Sequence, residues 1–203
     1  MLGLPHSTEI AKPLPKKAIF AKFQLKPAQR DRFDADISRM TLVNVISQST
    51  VPALQAGEKV AAIYVVDVAL KRRDYDPKDI ALLSTLIPQK MLFALHFEGQ
   101  LQLAIFHSKL LSGGWMAEEE ACLALMGTTL DAVWDNWVRS IGNIHVEEGN
   151  TLTEQIALDD ERAKLQRQIE TLEKRCRAEK QPHRRYELHQ EILKLKKILE
   201  GEE

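Results

Sequence analysis

Two helical segments near the C-terminus, joined by a very short connection, constrain the fold of this chain more than any other feature. Their apolar residues are Leu158, Leu165 and Leu172 and, beyond Pro182, Leu188, Ile192, Leu195 and Leu199. An apolar residue every third or fourth position, repeating every seven, places one stripe on a helix, and two helices bury such stripes against each other. The connection at Ala178 to Pro182 is so short that the second helix must run antiparallel to the first. The sequence therefore predicts an antiparallel coiled-coil hairpin over residues 151–203.

The turn of this predicted hairpin is strongly basic. The whole chain has a formal charge of −1, but between Arg162 and Lys197 twelve Lys and Arg stand against five Glu. Six of these cations lie at the turn and are called the basic tip: Lys174, Arg175, Arg177, Lys180, Arg184 and Arg185. Exposed Lys and Arg neutralise the phosphates of nucleic acids. We expect the basic tip to bind nucleic acid or a partner subunit, with a solvated coiled-coil exterior as the alternative.

Residues 1–150 have the pattern of a separate α/β (α+β) domain. Val60 to Leu70 is apolar on both faces, which indicates a central strand, and Glu98-Gly99-Gln100 separates two apolar segments as in a β-hairpin. From Thr128 to Ile141 the apolar residues follow helical spacing. These elements predict a mixed sheet of four or five strands with packed helices. Three prolines in residues 1–17 predict an extended N-terminal arm.

Composition indicates the cellular location. The most apolar run, Val60 to Leu70, is about half the length that spans a bilayer, and the N-terminus lacks the apolar stretch of a secretory signal. The two cysteines, Cys122 and Cys176, lie in different predicted units, which argues against a disulfide framework. We therefore expect a cytoplasmic protein that does not enter the membrane.

Motifs of catalysis are missing from the sequence. The six histidines have no Cys or carboxylate companion at zinc spacing, and no Gly-rich phosphate loop or nucleophile elbow occurs. We therefore expect no catalytic residue, no metal site and no cofactor, and an interaction protein is favoured over an enzyme. The main enzymatic alternative is a metal-dependent nuclease centred on Asp67 in the apolar strand. Such a nuclease needs an acid-x-Lys pair, which the hairpin strands lack.

Two segments carry a family resemblance. They are Leu4-Pro5-His6-Ser7-Thr8-Glu9-Ile10 in the arm and Lys180-Gln181-Pro182-x-Arg184-Arg185 at the hairpin turn. Together they resemble a bacterial family of domains of unknown function, of about this length. Its members are encoded beside DNA methyltransferases and helicases in restriction-modification-like or phage-defence clusters.

The resemblance implies nucleic-acid-related work and offers no established active site. With the basic tip, it favours a non-catalytic accessory or interaction subunit of a bacterial DNA-modification or phage-defence system. A helicase and/or a DNA methyltransferase subunit would be the partner, and the hairpin would contact nucleic acid or that partner. Ser7, Thr8 and Glu9 of the arm are the second candidate contact.

Overall fold

The structure, a computed structural model, describes residues 2–200. The chain divides into two compact units, and the boundary along the sequence lies between His145 and Val146. Within the described residues, the first unit contains one six-stranded sheet and four α-helices, and the second contains two α-helices. The protein is therefore of the mixed α+β class.

The sheet of the first unit follows the order of the chain. Its strands are β1 (Glu9–Pro13), β2 (Ile37–Ser47), β3 (Ala62–Leu70), β4 (Lys90–Phe97), β5 (Gln100–Phe106) and β6 (Leu110–Ala117). Neighbouring strands are antiparallel except β3 and β4, which are parallel. Parallel neighbours need a crossover, and a helix at Pro77–Leu83 lies in that connection.

The prediction of four or five strands was wrong, because both edge strands have weak strand signals. β1 lies in the predicted arm, is exposed along its whole length and ends in Pro13, a residue that sheets tolerate at an edge. β6 contains Gly113 and Gly114, which interrupt the apolar alternation, and its pairing with β5 shifts register between Gln102 and Ala104. Pairing with a neighbouring strand overrides the local preference for a loop in both places.

Three helices share one buried cluster with the sheet. They are α1 (Lys16–Phe23), α2 (Pro27–Asp36) and α3 (Pro77–Leu83). Their apolar residues, Ile19, Phe33, Ile80 and Leu83, pack with inward-facing residues of the four strands β2 to β5. A short 3₁₀ turn at His6–Thr8 precedes β1. The predicted arm is therefore only partly extended, and α1 begins within it at Lys16.

Helix α4 (Leu130–Gly142) packs against β3, β5 and β6. Its six buried residues are Leu130, Val133, Trp134, Trp137, Val138 and Ile141. They are the six that form the apolar face of the predicted helix, so that prediction is confirmed. Thr129 caps the helix by accepting a hydrogen bond from the Ala132 amide.

The second unit consists of α5 (Leu152–Ala178) and α6 (Pro182–Glu200), which pack on each other. The seam is formed by buried Ile169, Leu172 and Ile192 with half-buried Cys176, Leu188, Leu195 and Leu199. Near the connection, the Cys176 thiol lies 3.6 Å from the Arg185 carbonyl oxygen. The hairpin is therefore antiparallel.

Leu158 lies outside the seam, although it belongs to the seven-residue repeat. Its exposed fraction is 38%. Helix α5 has 27 residues and α6 has 19, so the first turns of α5 lie beyond the end of α6. No helix within residues 2–200 is long and apolar enough to cross a membrane.

Candidate functional site

The basic tip surrounds the connection between α5 and α6. All six of its cations, Lys174, Arg175, Arg177, Lys180, Arg184 and Arg185, are exposed. Arg175 and Arg177 lie in the last turn of α5, where the exposed carbonyl groups of a helix favour positive charge. Pro182 begins α6, a position where its missing N–H group costs nothing. Local helix chemistry thus places these cations at the turn.

Packing just below the tip holds the two helices together. The Glu173 carboxylate on α5 accepts a hydrogen bond from the Lys196 ammonium on α6 at 2.8 Å. This bond and the nearby positive charge of Arg177 lower the pKa of Glu173. The seam residues Leu172 and Ile192 lie in the same part of the hairpin. The basic tip therefore adjoins a part of the hairpin in which the two helices pack against each other.

Most of the tip's positive charge is not neutralised. Within residues 2–200, five of the six cations form no ion pair: Lys174, Arg175, Lys180, Arg184 and Arg185. Arg177 lies at 3.9 Å from Glu173 and is exposed. The Gln181 amide is the main cause that lowers the pKa of Glu179, and Arg184 lowers it further at longer range. The tip therefore carries more exposed positive charge than its neighbouring carboxylates balance.

The arm residues have different environments from one another. Thr8 is buried, and its hydroxyl donates to the Pro5 carbonyl oxygen at 2.7 Å and accepts from the Asn44 amide at 2.8 Å. Ser7 and Glu9 are exposed, and Glu9 lies 2.9 Å from the ring of His6. Thr8 therefore fixes the start of β1 to β2, whereas Ser7 and Glu9 remain available on the surface.

Asp67 belongs to a hydrogen-bonded cluster that the sequence did not reveal. Its carboxylate on β3 lies 2.5 Å from Nε2 of His96 on β4, and Nδ1 of the same ring lies 2.9 Å from Glu118. The parallel register brings the first pair together, because Asp67 lies opposite Ala94 and His96 opposite Ala69. The hydrogen bond with Asp67 is the main cause that raises the pKa of His96, and Glu118 adds to it.

The geometry of this cluster favours a charged His96 paired with the carboxylates of Asp67 and Glu118. A histidine that donates from both ring nitrogens to carboxylates is the imidazolium form. Within the described part of the chain, no group of three or more His, Cys, Asp or Glu could hold a metal ion. The nuclease alternative requires Asp67 to share a metal with a second carboxylate. In this structure Asp67 and Glu118 are instead bonded to opposite nitrogens of His96.

A second polar cluster joins α2 and α3 to the connection between β3 and α3. The Arg32 guanidinium lies 2.6 Å from Asp79 and 3.2 Å from Asp76, and Arg72 lies 2.5 Å from Asp36. Asp36 and Asp79 are both buried. Burial raises the pKa of Asp79, and the hydrogen bond from Arg32 opposes that effect. Because buried carboxylates need partners, this cluster holds the helices in place.

Comparison with known proteins identifies the family of this chain. The chain matches the model of a protein family described as Domain of unknown function (DUF4391) over residues 2–199. It therefore belongs to this family. The predicted membership of a family of domains of unknown function is therefore confirmed. No curated protein and no solved structure matches the chain.

Proposed function

We propose that this protein is a non-catalytic accessory subunit of a bacterial DNA-modification or phage-defence system. In this proposal the hairpin of α5 and α6 is an antiparallel coiled coil whose basic tip binds the phosphate backbone of nucleic acid. The supporting observation is the group of five exposed tip cations that form no ion pair within residues 2–200. A helicase or DNA methyltransferase subunit in the bacterial cytoplasm is the proposed partner.

Charge balance at the tip supports phosphate binding. Three glutamates lie near the six cations, and each has a partner outside the tip cations: Glu173 has Lys196, Glu179 has the Gln181 amide, and Glu187 has His183 at 3.4 Å. Lys and Arg that bind phosphates release condensed counterions, and this release dominates sequence-independent binding. The unpaired cations need not break an existing ion pair before they bind a phosphate. Binding should therefore require little reorganisation of the tip.

The shape of the hairpin also supports this role. Helix α5 has 27 residues and so extends about 40 Å at 1.5 Å per residue. Cations at the turn of a long hairpin can approach the backbone of a duplex from one direction without steric hindrance from the rest of the hairpin. Contacts to phosphates position a protein on nucleic acid without reading its sequence. We therefore expect affinity to depend on salt and hardly on sequence.

Fluorescence anisotropy with two labelled duplexes of unrelated sequence tests the proposal. The tip variant carries Lys180→Gln and Arg184→Gln, and the matched control carries Lys194→Gln and Lys197→Gln. All four positions are exposed, and both variants lose two positive charges. Removal of two phosphate contacts should weaken binding by roughly tenfold or more at about 0.1 M salt. The control should remain within about twofold of the wild type.

The comparison of the two variants distinguishes a tip site from general attraction. Equal losses in both variants would mean that the duplex responds to overall charge, and the tip would not be the site. Absence of binding by the wild-type protein at low salt would reject nucleic-acid binding altogether. An acidic surface of a partner subunit would then be the better explanation of the tip.

A further inference from the structure

The two sides of the hairpin seam differ in charge. On one side, a groove between α5 and α6 has an apolar floor formed by Cys176, Ile192 and Leu193. Its rim carries Arg177, Arg185 and Lys196. The groove on the other side of the seam also contains apolar residues, Leu172 and Leu195, but its lining has one cation, Arg167, and one acid, Glu191. The groove lined by Arg177, Arg185 and Lys196 is called the basic-rimmed groove.

Leu193 makes the basic-rimmed groove unusual for a solvated surface. Its side chain is 42% exposed, although it adjoins the buried seam residue Ile192. Tyr186, also exposed, precedes Leu193 by seven residues and therefore lies on the same side of α6. Isolated exposed apolar residues are ordinary on protein surfaces. Here, however, Leu193 forms part of the apolar lining of a groove between two helices.

The charges of the rim indicate what could cover this groove. Arg177 and Arg185 are exposed, and Arg185 forms no ion pair within residues 2–200. Glu173 is the acidic residue of the groove lining, and its carboxylate already forms an ion pair with the Lys196 ammonium at 2.8 Å. A second copy of the hairpin in this groove would bring cations against cations. An occupant with acidic residues beside an apolar stripe would complement both the rim and the floor.

We propose that the basic-rimmed groove binds an acidic amphipathic helix of a partner protein, which packs as a third helix on α5 and α6. Helix-in-groove recognition uses apolar anchors at positions i, i+3 or i+4, and i+7, which suits a groove that runs along two helices. The stems of Arg177 and Arg185 can cover the sides of such a helix while their guanidinium groups meet its carboxylates. This inference rests on the proposed role as an interaction subunit and names the chemistry of its protein partner.

Two synthetic helical peptides test the proposal by fluorescence anisotropy. Both carry the same leucine stripe, and they differ in having Glu or Lys beside it. The wild-type protein should bind the Glu peptide and not the Lys peptide. Leu193→Ser should weaken binding of the Glu peptide at least tenfold. The matched control is Ile198→Ser on the same helix, because Ile198 is 60% exposed and lies about 140° around the helix from Leu193.

The outcomes distinguish the groove from the rest of the basic tip, with which it shares Arg177 and Arg185. Absence of binding of the Glu peptide at low salt, or equal effects of the two serine variants, would overturn the proposal. A loss of duplex binding in Leu193→Ser would assign the groove to nucleic acid instead, which would also overturn it. Self-association that Leu193→Ser abolishes would identify a second copy as the occupant. The Lys180→Gln, Arg184→Gln variant should retain peptide binding, so a failure of the tip proposal would leave this result intact.

Discussion

Replacement of Leu172 by Ala tests whether the hairpin is held by its seam. Leu172 is 8% exposed and packs with Ile169 and Ile192. The substitution removes three carbon atoms, which at about 0.8 kcal/mol each contribute about 2.4 kcal/mol of burial. A cavity in a deep core would add to this cost, but a two-helix seam is open on both sides and can relax. We therefore expect a loss of about 2 to 3 kcal/mol.

Hydrogen exchange measured by mass spectrometry reports this loss directly, because it follows the opening of α6 separately from the first unit. Where exchange follows the opening equilibrium, 2 to 3 kcal/mol corresponds to about 30- to 150-fold faster exchange in peptides from α6. Peptides from β3 and β4 should exchange as in the wild type. The full chain is used throughout.

Leu158→Ala is the matched control, since Leu158 lies on the same helix but is 38% exposed and outside the seam. A surface substitution of this kind should change stability by about 0.5 kcal/mol or less. Equal effects of Leu172→Ala and Leu158→Ala on the exchange of α6 would refute the packed seam.

Three further predictions concern the first unit, whose urea unfolding can be followed by tryptophan fluorescence because all three tryptophans lie before residue 146. The pKa of His96 is raised, so its charged form contributes stability at pH 6 that is lost as the pH rises through that pKa. The destabilisation caused by His96→Asn should therefore be larger at pH 6 than at pH 9. Equal values at the two pH values would contradict the ion pair. Arg32→Ala leaves the buried Asp79 without its partner and should cost about 3 kcal/mol at pH 7, whereas a cost below about 1 kcal/mol would mean that the cluster is not structural. The purified protein with Mg²⁺ should not cleave plasmid DNA; cleavage that disappears in Asp67→Ala, with folding intact, would establish the nuclease alternative.

Elements whose burial follows a simple period could be predicted from the sequence. The six apolar residues of α4 all face the core, and its cap at Thr129 follows from the preference of threonine for that position. The turn at Glu98 and Gly99 between β4 and β5 is also where the sequence places it, and both residues have positive φ angles. Short-range sequence preferences determine these two elements, so they could be predicted without knowledge of the tertiary contacts.

Features that depend on strand pairing could not be predicted. The cluster of Asp67, His96 and Glu118 exists because the parallel register of β3 and β4 places His96 diagonally across from Asp67, and because the end of β6 lies beside them. Nothing in the spacing of these residues along the chain indicates this arrangement. Conversely, Leu158 fits the seven-residue repeat but is 38% exposed and lies outside the seam. A repeat alone does not determine where a hairpin ends.

The salt dependence of duplex binding tests the central proposal most directly. Each phosphate contact contributes a slope of about −0.9 to the plot of log affinity against log salt. Loss of the contacts of Lys180 and Arg184 should therefore flatten the slope by about two units, whereas the Lys194→Gln, Lys197→Gln control should keep the wild-type slope. A tip variant with an unchanged slope, or a control that flattens equally, would contradict phosphate binding by the basic tip.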